Sequence, residues 1–236
     1  MTKGVSFKDK FLPTQIEYRH DYVGAAYEHD LYDAILHASG IGAPQDDFVL
    51  EQTDMFSQEE MGSNPIGLRL LEFLISANNA KRVLEIGTFI GAASMVMARA
   101  LPDDGQVVTI EKFDHFAAIA RRNFERNGLA RKIELLEGDA FEAIEGLPTD
   151  KPFDLIFIDG NKERYRHYME VCLPLLAPNG IMAVDDCFFH GDAVNSVPTN
   201  DKGRGCKEAL DFSANLDNWV RLALPISNGI LVLKRK

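Results

Sequence analysis

No apolar run in the 236 residues approaches the roughly eighteen needed to cross a bilayer. The opening MTKGVSFKDKF lacks the apolar core of a secretory signal, so a cytoplasmic location with no membrane partner is expected. Cysteine is scarce. Cys172, Cys187 and Cys206 are odd in number and lack metal-ligand spacing, which excludes a disulfide framework and a thiolate metal site. They read as reduced, buried thiols. Basic residues are outnumbered, 25 against 36 acidic, for a net charge of −11. Lys and Arg do not cluster strongly, and the small groups RGCK at 204–207 and the final KRK are too short to form a basic face, so nucleic acid is not an expected partner. The dinucleotide fingerprint G-x-G-x-x-G is also missing, which argues against a nicotinamide-dependent oxidoreductase. There is no internal repeat and no low-complexity tract.

What the chain does have is RVLEIGTFIGAAS, Arg82 to Ser94. It reads as a buried strand, a glycine turn from Gly87 to Gly91, and a helix running to about Ala100. Glycines there allow a tight turn and close approach to a ligand, and N–H groups at a helix start can face an anionic group. Glu85 ends this strand and Glu111 ends the next, VVTIE. A carboxylate at the second position can accept hydrogen bonds from both hydroxyls of a ribose.

Around this stretch strands and helices alternate. VLEI, QVVTIE, KIELLEGD, DLIFID and GIMAVDD are strand-like, with helices at 92–100, 114–127, near 140–146 and at 162–176. Such alternation predicts an α/β, Rossmann-like doubly wound sheet, mostly parallel, with helices on both faces. The strands are nearly all apolar, as burial on both faces requires. VRLALPI and GILVLKR flank Ser-Asn-Gly, a hairpin signal that predicts an antiparallel last strand. A helix after Ser-Asn-Pro at 63–65 leads into the first strand. Apolar positions in 14–39 follow a helical stripe, and 40–54 is loop-like. The expected organisation is one globular unit, with residues 1–54 as an N-terminal helical extension packed on a core of 55–236.

In open α/β sheets ligands bind beyond the carboxyl ends of the strands. Those ends here are Glu85, Glu111, Asp139, Asp159, and Asp185 with Asp186. Any one could be a helix cap, but a whole rim of carboxylates repels itself and calls for a cation. Asp159, Asp185 and Asp186 together offer oxygen ligands for a hard divalent ion: magnesium first, with manganese or calcium also suited.

AKRVLEIGTFIGAAS, FIDGNKERY, LLAPNGIMAVDDCFFHG and LPISNGILVLKR occur in this order over residues 55 to 236. In these motifs the chain resembles the cation-dependent, S-adenosylmethionine-dependent O-methyltransferases, the group that includes catechol and caffeoyl-coenzyme A O-methyltransferases. The resemblance implies that Met61, Gly62 and Ser63 line the methionine end of S-adenosylmethionine. Glu85, Gly87, Thr88, Phe89 and Gly91 would form the floor of that site. Glu111 would hold the ribose, and Asp139 with Ala140 would meet the adenine edge. Asp159, Asp185 and Asp186 would bind the metal, with Asp159 also at the reaction centre. Lys162 would be the base beside the reacting hydroxyl, its pKa lowered by the cation. Phe189 and His190 would stand at the substrate mouth.

The implied partner is a small-molecule hydroxyl acceptor, of which an aromatic vicinal diol is the expected kind, and a homodimer is expected. The chain departs from the family pattern in having Asp186 where Asn is usual, Ala93 where Ser is frequent, Asn161 where Asp is frequent, and Phe189 where an aromatic residue, commonly Trp, meets the substrate. An N-methyltransferase on the same fold would instead carry an Asn/Asp-Pro-Pro-aromatic motif where this chain has Asp159-Gly160-Asn161-Lys162. The segment from Ser196 to Cys206 carries no readable pattern and is assigned to acceptor choice.

Overall fold

The computed structural model describes residues 28–42, 47–56 and 61–236. The chain divides into two units, 1–41 and 42–236, a division that falls earlier than the expected residue 54. In the first unit helix α1 spans Glu28–Ser39. The rest of the helical stripe expected over 14–39 lies outside the described residues.

In the second unit the described elements follow the expected alternation, apart from a helix at Asp201–Ala214 that was not expected. They are α2 (Pro65–Ala77), β1 (Arg82–Ile86), α3 (Ala92–Ala100), β2 (Gln106–Glu111), α4 (Asp114–Arg126), β3 (Ile133–Glu137), α5 (Ala140–Glu145) and β4 (Phe153–Ile158). After them come α6 (Tyr165–Cys172), β5 (Leu176–Val184), α7 (Asp201–Ala214), β6 (Trp219–Leu224) and β7 (Ile230–Arg235). Residues 47–56 belong to this unit. Asp47 pairs with Arg99 at 2.8 Å, and the Glu51 carboxylate takes Arg122 at 2.6 Å and Arg126 at 2.9 Å.

The strands form one seven-stranded sheet in the order β3-β2-β1-β4-β5-β7-β6. All neighbours are parallel until β7, which runs antiparallel to both β5 and β6. The hairpin expected around Ser-Asn-Gly is therefore present, with β7 inserted between β5 and β6. Side chains alternate between two cores, as strand geometry demands. Leu84, Ile86, Ile156, Ile158, Met182 and Val184 face α5, α6 and α7. Val83, Leu155, Phe157, Ile181 and Ala183 face α2, α3 and α4. No described helix is long and apolar enough to cross a membrane.

Two local results bear on the site. α2 starts where Ser-Asn-Pro predicted, with Asn64 accepting from the Ile66 amide at 2.9 Å and Pro65 in the first turn. The helix expected over 162–176 is instead three pieces: a 3-10 turn at Lys162–Arg164, then α6, then a second 3-10 turn at Leu173–Leu175 that contains Pro174. Proline has no amide to continue the helical ladder, so the chain leaves the helix there and enters β5.

Candidate active site

Strand order reverses between β1 and β4, and an open α/β sheet leaves a crevice at such a switch point. The backbones there are close: Asp159 N donates to Ile86 O at 2.9 Å. Gly87 has φ +96°, and a Cβ on it would collide with the Asp159 carbonyl. Only glycine tolerates both that conformation and that contact. Above this point opens a cleft of about 680 Å³, a size suited to a drug-sized ligand.

One end of the cleft is built on Glu111, which is only 6% exposed. Its Oε2 accepts from the Thr88 and Phe89 amides at 3.2 and 2.8 Å, and its Oε1 from the Phe113 amide at 3.0 Å. Burial raises its pKa, and these three amides pull it back down. The carboxylate thus ties the glycine turn to the end of β2 and keeps lone pairs for a further donor. Asp139 caps α5, accepting from the Phe141 amide at 3.1 Å, and is flanked by Lys112 at 3.2 Å and Arg164 at 3.6 Å. The Phe141 amide chiefly holds its pKa below the usual carboxylate range. The capping reading of Asp139 is therefore correct, and the residue lines the cleft as well.

The other end holds the carboxylates of β4 and β5. Lys162 Nζ lies 2.9 Å from Asp186 and 3.4 Å from Asp159. Ser63 Oγ donates to Asp159 at 3.3 Å, and Asp185 accepts from the Asp186 amide at 2.9 Å. Burial, then the charge on Asp186, pushes the Asp159 pKa up to about 6 even though Lys162 opposes the shift. Burial and both neighbouring carboxylates raise Asp185 well above its ordinary value. With only its protein neighbours, Lys162 shifts upward. Burial works against its charge, but Asp159 and Asp186 outweigh it.

Backbone conformation marks the same place. Of the seven described non-glycine residues with positive φ, two are asparagines, which tolerate it. The other five are Phe89, Asp186, Phe189, His190 and Ser227, and all five line the cleft. Such strain gathers where surrounding structure holds residues for function.

Of the residues expected from sequence, Met61, Gly62, Ser63, Gly87, Thr88, Phe89, Glu111, Asp139, Ala140, Asp159, Lys162, Asp185, Asp186, Phe189 and His190 all border this one cleft. Glu85 and Gly91 do not. Glu85 is fully buried beneath the turn, accepting from Thr109 at 2.5 Å and from Ser94, and burial drives its pKa up to about 8. Gly91 has φ +90° and leaves room for the Phe124 ring.

Sequence reasoning missed Lys202 and the pair Ser227–Asn228. The latter sit in the Ser-Asn-Gly turn, which was read only as a hairpin. Asn228 also buttresses the strained loop, its Oδ1 taking the His190 amide at 3.3 Å and its carbonyl the Phe188 amide at 2.8 Å.

The donor chemistry of Asp159 and Asp185 fits a hard cation, because both are buried carboxylates whose charges burial and mutual repulsion oppose. The buried Tyr165 hydroxyl, without a hydrogen-bond partner among the described residues, adds to an unbalanced polar centre. As placed, Asp186 turns to Lys162, and among the described residues no three ligating side chains converge on one point.

Residues 48–236 match the family model described as O-methyltransferase. The chain belongs to the O-methyltransferase family. Among its relatives, a catechol O-methyltransferase of Niastella koreensis is 30% identical over 69% of this chain and 76% of its own length. Caffeoyl-CoA O-methyltransferase 2 of Petunia hybrida is 29% identical over 71% of this chain and 73% of its own. Among solved structures, the O-methyltransferase TomG of Streptomyces achromogenes, involved in tomaymycin synthesis and crystallised with SAM, has a TM-score of 0.69 at 27% identity. That match covers 75% of this chain and 82% of TomG. In this O-methyltransferase the switch-point cleft is the candidate active site.

Proposed function

We propose that the protein transfers a methyl group from S-adenosylmethionine to one hydroxyl of a small aromatic vicinal diol, with a divalent cation, magnesium by preference, at the acceptor end. The observation that carries this reading is the division of one cleft into two chemistries. Glu111 and the glycine turn lie at one end, and Asp159, Lys162, Asp185 and Asp186 lie at the other.

Glu111 accepts the ribose hydroxyls, and Asp139 with Ala140 bounds the adenine. Met61, Gly62 and Ser63 enclose the methionine end, so that the sulfonium methyl faces the acidic end. Asp159 and Asp185 would hold the cation, and Asp186 would offer a third carboxylate oxygen if freed from Lys162. When bound, such an ion favours the acceptor oxyanion and fixes two vicinal oxygens in one orientation. Lys162 stands beside that position; a bound cation that takes Asp159 and Asp186 as ligands and adds its own positive charge would lower the Lys162 pKa, so that it could receive the hydroxyl proton. Phe189 and His190 bound the acceptor ring. With the electrophile already activated, the remaining demand on the protein is alignment of oxygen, methyl and sulfur. A homodimer in the cytoplasm completes the reading, and neither nucleic acid nor membrane takes part.

The test is a methyl-transfer assay with S-adenosylmethionine and catechol-type acceptors, with and without chelator, on wild type and Lys162→Ala. The reading expects O-methylated product, loss of activity on chelation, and a variant whose turnover falls far more than its cofactor affinity. A Lys162→Ala protein with wild-type turnover at neutral pH removes Lys162 from the reaction. Activity indifferent to chelation removes the cation.

A further inference from the structure

Beyond Phe189 and His190, the segment that leads to α7 has no role in the reading above, yet its side chains are tied together. Asp192 is its knot. Its carboxylate accepts from the Thr199 amide at 2.9 Å, the Thr199 hydroxyl at 2.9 Å, and the Asn195 and Asn200 side-chain amides at 3.1 and 3.0 Å. Asn200 in turn caps α7, accepting from the Gly203 amide at 3.0 Å.

The first turn of α7 is pressed inward by two glycines. A Cβ on Gly203 would strike the Asp192 carboxylate, and one on Gly205 would strike the Lys162 carbonyl. Between these two glycines and the cap, the backbone of Lys202 has little freedom, and its side chain lines the cleft while remaining exposed.

The charges around that position are uneven. Lys112 and Arg164 border the cleft but answer Asp139. Lys162 answers Asp186 and Asp159. Among the described residues Lys202 is the cleft-lining lysine or arginine that no acidic group neutralises. A cation on a fixed mount facing a ligand cleft, in a chain of net charge −11, creates a local preference for negative charge.

Resting on the methyl-transfer reading of this cleft, we propose that Lys202 sets acceptor specificity by binding an anionic group, carboxylate or phosphate, carried by the acceptor away from its reacting hydroxyl. At the inner end Lys162 already answers Asp159 and Asp186, so the unanswered charge of Lys202 draws the anion toward α7 and orients the acceptor with its hydroxyls inward.

The test compares three acceptors of one ring pattern: 3,4-dihydroxybenzoate, 3,4-dihydroxybenzyl phosphate, and the neutral methyl 3,4-dihydroxybenzoate. KM is measured for each with wild type, Lys202→Ala and Lys202→Arg. Binding to protein loaded with S-adenosylhomocysteine is measured in parallel by calorimetry. Loss of one charge-assisted contact raises the KM of an anionic acceptor about tenfold relative to the ester in Lys202→Ala. Lys202→Arg restores the ratio, and added salt shrinks it. Whichever anion shows the larger ratio identifies the source of the charge.

Methyl transfer with a ratio that Lys202→Ala leaves unchanged for both anions overturns the inference and leaves the reaction standing. Anions that bind in a Lys202-dependent way but are never methylated uphold the inference and overturn the reaction reading. Anions that neither bind nor react overturn the inference.

Discussion

The Lys162 ammonium stands 2.9 Å from an Asp186 carboxylate oxygen, so a charge supplied by β4's loop is held by a charge supplied by β5's. The side chain that departs from the family pattern is thus the one that grips the expected base. Asp186→Asn keeps an oxygen and removes the charge. It is expected to weaken Mn²⁺ binding modestly, seen by electron paramagnetic resonance titration, and to leave a working enzyme. Mn²⁺ affinity that is unchanged in the variant removes Asp186 from the ligand set.

Glu111 makes its contacts through both oxygens. Glu111→Ala strands the Thr88 and Phe89 amides as well as removing the ribose acceptor, and S-adenosylmethionine affinity is expected to fall by at least about 1.5 kcal/mol. Calorimetry reads this directly, and an unchanged affinity removes Glu111 from the cofactor site.

Glu85 gives a pH signature. Its folded pKa, about 8, lies above the ordinary 4.5 because burial disfavours the charge. Between those values the unfolded chain releases the proton while the folded one retains it, so stability falls as pH rises through this window and levels off above it. Glu85→Gln cannot ionise. Denaturation at a series of pH values is expected to show a smaller decline between about 4.5 and 8 in the variant. Parallel curves for the two proteins refute the assignment.

Gly205→Ala places a methyl group against the Lys162 carbonyl and Glu163 Cα. Overpacking of this kind costs about 1–3 kcal/mol. The displaced 3-10 turn carries Lys162, so turnover is expected to fall with circular dichroism unchanged. Normal turnover in a stably folded variant means that α7 does not position Lys162.

The sheet was legible because its strands are short apolar runs separated by polar turns, and their side-chain alternation leaves one solution for each. The divergent fates of Glu85 and Glu111 were not legible, although both looked like carboxylates at strand ends. The register decides between them: Glu85 lies opposite Thr109 and Ile86 opposite Ile110, so Glu111 sits two residues farther along the sheet. Pairing of that kind is a property of two strands and leaves no mark in either. α7 was hidden for a different reason. DKGRGCKEALDFSA contains two glycines in its first turns, which local propensity reads as loop. Its helix is fixed by Asn200 and by contact with Asp192, several residues upstream. Lys202 was lost with it.

A glycine inside a helix is about 0.5–1 kcal/mol less stable than alanine, and α7 carries two of them so that it can lie against Asp192 and the turn of Lys162. At the Asp192–Gly203 contact the two sides are bound to change together. A larger residue at 203 has nowhere to go while Asp192 stays, and a different residue at 192 unties Thr199 and Asn200 and leaves Gly203 without its contact. Acceptor range in this fold should therefore shift by exchange of the whole stretch from Asp192 to Cys206 as a cassette. A chimera that swaps only half of it sets a larger residue at 203 against Asp192 or loses that carboxylate's contacts, and is expected to be less stable than one that swaps the whole.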